Sequence, residues 1–255
     1  MPIEIQMDGN VAVMTLACPK GNAMNHPFID ALNAALDQTA GPEVRALVIT
    51  GRGRAFGAGL DLVESHGFDR AAATRFVDAF DDLFVRLFAL EKPVVAAVNG
   101  HAIAGGCVLA CAADWRVVAS GDFAIGLTEV PLGIPFPVGA LECARHAIPR
   151  ESWAPCILEG RRLTPYEALR LGVADRVVGA AELVDVAKAK ARELAELPPG
   201  SFALTKADLR DQGLARIRER KESSRVTFLD HWFGPDATSR RAAMVAELSA
   251  KKPPK

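Results

Sequence analysis

Two uninterrupted apolar runs, Ala46-Leu47-Val48-Ile49 and Pro93-Val94-Val95-Ala96-Ala97-Val98, constrain this chain more than any other feature. Each is short, rich in β-branched residues and free of polar alternation, as in a strand covered on both faces. Each leads into a glycine-bearing turn: Gly51 to Gly59 after the first run, Asn99-Gly100 and then Gly105-Gly106 after the second. Helical patterns follow. Phe76, Val77, Phe80, Leu83, Phe84, Leu87 and Phe88 recur at helical spacing within residues 74 to 90, and Cys107 to Cys111 read as a buried helix. Trp115 to Ala119 and Phe123 to Ile125 supply further short strands. Strands alternating with helices predict an α/β fold with parallel pairing.

The flanks fit this frame. Ile3 to Leu16 alternates around Asp8-Gly9-Asn10, a β-hairpin with an Asp-Gly type turn. Pro27 to Leu36 has helical periodicity. Thr164, Pro165 and Glu167 form a helix start with a cap, a first-position proline and a third-position acid. Val173 to Val178 reads as a strand and Glu182 to Leu197 as a helix ending at Pro198-Pro199-Gly200. Residues 201 to 250 are charged and helical in pattern, divided by Pro235. The division expected is a core over 1–198 and a helical module over 199–255, which packs on a neighbouring subunit.

Length and charge exclude some classes. The chain has 255 residues, half of them apolar, and a formal net charge of −1, so nothing global points to nucleic acid or an anionic membrane. No apolar run approaches the roughly 20 residues that span a bilayer, and the first residues lack the order of an export signal. Five cysteines without a C-x-x-C pair read as free thiols in a reducing cytoplasm. The Lys251-Lys252-Pro253-Pro254-Lys255 tail reads as a frayed basic end.

Two glycine turns after buried strands could aim two backbone N–H groups at one oxygen, an arrangement that stabilises charge developing on a carbonyl. They could equally be no more than tight turns. A dinucleotide site fits poorly, because Phe56 stands where G-x-G-x-x-G after Gly51 requires glycine. The single tyrosine, Tyr166, is followed four residues on by Arg170, not by the lysine of a short-chain dehydrogenase.

Three segments in order carry a resemblance. Arg54-Ala55-Phe56-Gly57-Ala58-Gly59-Leu60-Asp61-Leu62, the stretch from Lys92 to Cys107, and Gly160-Arg161-Arg162-Leu163-Thr164-Pro165-Tyr166-Glu167-Ala168 resemble the enoyl-CoA hydratase/isomerase (crotonase) family across nearly the whole chain. The resemblance implies coenzyme A thioester substrates and a crotonase-like spiral of ββα units. It also implies a C-terminal helical domain that builds trimers or hexamers, and no metal or redox cofactor. By position it implies oxyanion donors at the N–H groups of Leu60 and Gly105, with Ala104 where the family often has glycine. Ala23, Ala58, Gly59, Asp61, Gly106, Val108 and Thr128 become candidate substrate-binding residues.

The acids separate the possible reactions. Hydration in this family resembles a two-carboxylate task, yet the first acid's position is Val108 here; the second is retained as Glu129. One carboxylate suffices to take a proton from C2 of a 3-enoyl thioester and return it at C4, and the segments around Glu129 look most like the Δ3,Δ2-enoyl-CoA isomerase branch. Apolar neighbours should raise the Glu129 pKa. The rivals are a hydratase with an unrecognised second acid, Asp61 or Glu64, and a non-catalytic acyl-CoA-binding protein. Glu142 is expected to be structurally paired, and His101 to line the acyl pocket. Pro131, Pro135, Phe136 and Pro137 are expected to shape that pocket, and residues 64 to 73 to cover it.

Overall fold

A computed structural model describes residues 2–250. The chain opens with the antiparallel pair β1 (Ile3–Asp8) and β2 (Val11–Leu16), in register from Ile3↔Leu16 to Asp8↔Val11. That register leaves Gly9-Asn10 as the two loop residues. Only Gly9 of the two has positive φ, at 63°, so the loop is Gly-Asn and not the expected Asp-Gly. A single turn α1 (Pro19–Asn22) and helix α2 (His26–Gln38) follow.

Three ββα units come next. The first is β3 (Ala46–Gly51), β4 (Ala55–Gly57), α3 (Leu62–Ser65) and α4 (Arg70–Phe88). The second is β5 (Val94–Val98), β6 (His101–Ile103) and α5 (Gly105–Cys111); the third is β7 (Trp115–Ala119), β8 (Ile125–Gly126) and α6 (Val138–Ala147). Each unit gives its first strand to one sheet and its second to another. With β9 (Arg176–Val178), preceded by α7 (Pro165–Arg170), the sheets have orders β1-β2-β3-β5-β7-β9 and β4-β6-β8. Every pairing except β1–β2 is parallel. This is the spiral of ββα units expected.

The two apolar runs are covered on both faces. Leu47, Ile49, Val94 and Ala96 enter the larger core with Phe28, Leu32, Phe84 and Phe88 from α2 and α4. Ala46, Val48, Val95 and Ala97 enter a second cluster under Leu183, Ala187, Ala191 and Ala195 of α8 (Leu183–Ala195). All seven apolar positions read in α4 are buried. Each large side chain withdrawn from water in this way contributes roughly 1.5–3 kcal/mol.

Two expected strands are shorter than read. Val173 and Ala174 both donate their N–H to the carbonyl of Ala168, closing α7 past Gly172, so pairing begins only at Arg176. Phe123 and Ala124 stay outside β8 because the Ala124 N–H goes to His101 Nδ1, 3.1 Å away. The Thr164–Glu167 capping box forms as read.

After the proline break come α9 (Pro199–Trp232) and α10 (Pro235–Ala250). The charged helix α9 is docked by polar contacts. Lys206 donates to the Lys92 carbonyl at 2.9 Å and to Asp114 at 2.7 Å, and Arg210 donates to Asp114 at 2.7 Å with its guanidinium 4.4 Å from the Phe88 ring centre. Burial pulls the Lys206 ammonium down to about 8. No helix among the described residues is long and apolar enough to cross a membrane. The 251–255 tail lies outside the described residues.

Candidate active site

The site is built where two glycine turns meet. Met24 donates its N–H to the Gly59 carbonyl at 2.7 Å, and Asp61 donates to the Met24 carbonyl at 2.9 Å. In such a parallel bridge the intervening residue, Leu60, turns its own N–H away, and nothing among the described residues accepts it. The second turn follows β6. Ala104 donates to Gly126 at 2.8 Å, then reverses the chain at φ 49° and ψ −122°, making Gly105 the first residue of α5. A first-turn helical N–H has no intrahelical acceptor, and that of Gly105 has no other acceptor among the described residues.

Contact between the turns requires glycine. A Cβ on Gly59 would lie 2.8 Å from the Ile103 carbonyl oxygen and 3.2 Å from the Gly105 nitrogen. One on Gly106 would lie 2.0 Å from the Gly57 carbonyl oxygen. Side chains there would push the two segments apart.

Leu60 and Gly105 open on a cavity between the two glycine turns and the C-terminal helices. Its walls are mostly apolar: Phe68, Phe76, Phe80, Ile103, Leu132 and Ile134, with Phe228, Trp232 and Met244 from the two C-terminal helices. Ala58, Thr128 and Glu129 are also on the wall. Glu129 sits in the turn after β8. Its carbonyl accepts from Leu132 at 3.0 Å and from Ile134 at 3.2 Å, which fixes the loop. The side chain is buried, Oε2 has no hydrogen-bond partner, and burial pushes the carboxyl up to about 8. Among the described residues it is the only Asp or Glu on the cavity wall.

The other acids are engaged elsewhere. Asp61 is buried, accepts from Lys20 Nζ at 2.6 Å, and caps α3 through the Glu64 N–H. Glu64 accepts from Asn25 Nδ2. Glu142 pairs with Arg145 and Arg216, and Asp81 caps α6 by accepting from Gly139 and Ala140.

Of the residues singled out in the sequence, the cavity gathers Leu60, Gly105, Glu129, Ala58 and Thr128. Ala23, Gly59, Asp61, Gly106 and Val108 are not on its wall; Gly59 and Gly106 serve the contact between turns, and Val108 is wholly buried in α5. His101, expected to line the pocket, is off the wall because its ring holds the Ala124 N–H and packs edge-on to Phe123. Pro137 is on the wall, whereas Phe136 turns into the core and Pro131 packs under Gly160. Residues 64 to 73 contain the end of α3 and the start of α4, and put Ser65, Phe68 and Ala73 on the cavity. The contributions of Phe228, Trp232 and Met244 were not read from the sequence. Phe228 and Trp232, four apart on an otherwise charged helix, were the available signal.

Unpaired N–H groups at adjoining turns, a buried free carboxyl and an apolar cavity suit proton transfer beside a polarised carbonyl. The sequence profile of the enoyl-CoA hydratase/isomerase family matches residues 6–241. A short-chain-enoyl-CoA hydratase of Clostridium acetobutylicum is 30% identical over 253 residues, covering 97% of this chain and 95% of its own. A carnitinyl-CoA dehydratase of Salmonella paratyphi B is 33% identical over 232 residues, 90% of this chain and 88% of its own. The human mitochondrial Δ3,Δ2-enoyl-CoA isomerase structure superposes with a TM-score of 0.93 at 26% identity, covering 99% of this chain and all of that one. By profile, relatives and fold, this chain belongs to the enoyl-CoA hydratase/isomerase family.

Proposed function

We propose that this protein moves the double bond of a 3-enoyl-CoA thioester to position 2. The observation that carries the reading is Glu129, the only acid on a mostly apolar cavity wall among the described residues, with Oε2 buried and unpartnered. The thioester oxygen lies between the Leu60 and Gly105 N–H groups, which stabilise the negative charge that grows there. Ionised Glu129 takes a proton from C2 and leaves a dienolate. The same carboxyl returns the proton at C4, and the bond pair shifts from C3–C4 to C2–C3. The proton ends on the substrate, the electrons never leave it, and the reaction requires no redox cofactor. An oxyanion donor of this kind is typically worth roughly 3–4 kcal/mol of barrier. A pKa near 8 suits a group that must both accept and give back a proton near neutrality. The likeness in fold to the human isomerase supports the same reading.

Hydration is the second reading, favoured by the names of the Clostridium and Salmonella relatives. It needs a second group to hold water, with Val108 in the core and Asp61 tied to Lys20. The test is purified protein with 3-hexenoyl-CoA, and separately with 2-hexenoyl-CoA in ¹⁸O-water. Conjugation of the first without label in any product supports isomerisation. Labelled 3-hydroxyacyl-CoA from the second at a comparable rate supports hydration. In the same reading the chain assembles as a trimer or hexamer through α9, where Leu204 and Leu209 are each 70% exposed. Light scattering reads the mass.

A further inference from the structure

Six buried side-chain polar atoms among the described residues have no hydrogen-bond partner. Three are Nε atoms of Arg116, Arg216 and Arg241, whose guanidinium groups bond through their other nitrogens. The other three are Glu129 Oε2, Ser65 Oγ and Trp232 Nε1, and all three residues line the one cavity. Glu129 has its role in the proposed reaction. Ser65 and Trp232 do not, although each is only 2% exposed. Folded proteins rarely leave such groups unmatched, and where they do the partner is commonly a ligand or water.

The Trp232 ring is held in place before any ligand arrives. It stacks on Phe228 with centres 5.7 Å apart and planes 20° apart, and the Arg241 guanidinium lies 3.8 Å from its centre. Arg241 also donates to the Trp232 carbonyl. The apolar cluster around Trp232 includes Leu62 and Phe68, which flank Ser65 three residues to either side. The two unmatched groups therefore come from α3 and α9 to the same cavity, where the neighbours of Ser65 pack on the cluster that holds Trp232, and a fixed donor of this kind suits recognition of an acceptor.

We propose that the acyl chain accepted here carries an uncharged oxygen function, a hydroxyl or oxo group, beyond the reacting carbons, and that Ser65 and Trp232 recognise it. The proposal rests on the reading of this cavity as the acyl site. An indole N–H only donates and a serine hydroxyl both donates and accepts, so together they match an oxygen and not an alkylammonium, which has no lone pair to offer the indole N–H. A carboxylate fits less well. Among the described residues the only Lys or Arg on the wall is the exposed Arg162, so an anion among Phe68, Phe76 and Ile134 would be desolvated with neutral donors and no counter-charge. A plain hydrocarbon chain would displace water and leave both groups unpaired, which is the basis on which such sites discriminate.

The experiment compares hexanoyl-CoA with 6-hydroxyhexanoyl-CoA and 5-oxohexanoyl-CoA in calorimetric binding to the wild-type protein, Ser65→Ala and Trp232→Phe. The 3-hexenoyl and 6-hydroxy-3-hexenoyl thioesters, in which the oxygen is not conjugated with the moving double bond, are then compared by kcat/KM. At least one oxygenated chain is expected to be favoured about tenfold or more over the hydrocarbon. Each variant, with its folding checked by circular dichroism, is expected to reduce that ratio several-fold. Equal or better binding of hexanoyl-CoA, or ratios that neither variant changes, overturns the proposal. The saturated thioesters cannot isomerise, so the binding arm stands if no 3-enoyl substrate turns over. Failure of the isomerase reading is thereby separated from failure of this one.

Discussion

A methyl group on Gly59 would lie 3.2 Å from the Gly105 nitrogen, so the two turns that carry the unpaired N–H groups touch through a glycine. Gly59 also has φ of +77°, a conformation that side chains resist. Gly59→Ala should therefore separate the turns and lower kcat by about 10²–10³-fold. Gly53→Ala is the control: φ is +76°, but among the described residues nothing lies within 4 Å of the added carbon. It should lose about 1 kcal/mol of stability and keep its turnover. Equal losses of activity in the two variants would remove the role given to the contact.

Burial holds the Glu129 carboxyl protonated up to about 8, against an ordinary value of 4.5. Between those values the folded protein keeps a proton that the unfolded chain has released. Stability from this group is thus fully present below about pH 4.5, declines as pH rises to about 8, and is level beyond. Glu129→Gln should abolish that decline and be the more stable protein at about pH 9 in urea denaturation. It should also lose about 10²–10⁴-fold in kcat while acyl-CoA binding is largely kept. In the wild-type protein kcat/KM should rise with pH through about 8, since the ionised carboxylate is the base.

Ala104 adopts φ 49° and ψ −122°, a conformation suited to glycine. Its strain is offset by the bond from its N–H to Gly126 and by the helix that starts at Gly105. Ala104→Gly should stabilise the fold by about 1 kcal/mol, the relief of strain exceeding the added freedom of the unfolded chain. Thermal unfolding measures it, and a lower midpoint would contradict the strain.

Asp114 accepts from Val94, Lys206 and Arg210, and the two cations are almost fully buried. Asp114→Ala leaves both charges unpaired under α9 and should cost about 3 kcal/mol or more. Denaturant unfolding reads the loss; a cost below about 1 kcal/mol would mean that the cluster does not anchor the helix.

Much of this protein was legible in short stretches of sequence. Ala46 to Ile49 and Val94 to Val98 announced strands buried on both faces, because a short β-branched apolar run has few other stable uses. The phenylalanines of α4 declared their face by spacing, and Thr164 and Glu167 declared a helix start, because these signals act within one or two turns of chain. The glycines at 59 and 106 marked where backbones approach closely, and Gly105 where the Phe80 and Met24 side chains leave no room for a Cβ. Tertiary structure alone decided what those elements meet. It brought Trp232 and Phe228 to the cavity of Leu60 and Glu129, turned His101 to the Ala124 N–H, and joined Lys206 and Arg210 to Asp114. It also set Ala104 in a glycine conformation, because the ends of β6 and α5 are fixed by their neighbours. Most of these contacts link residues far apart in the chain. No local period or propensity encodes such partners; they are selected only when the cores of the two sheets and the C-terminal helices close together.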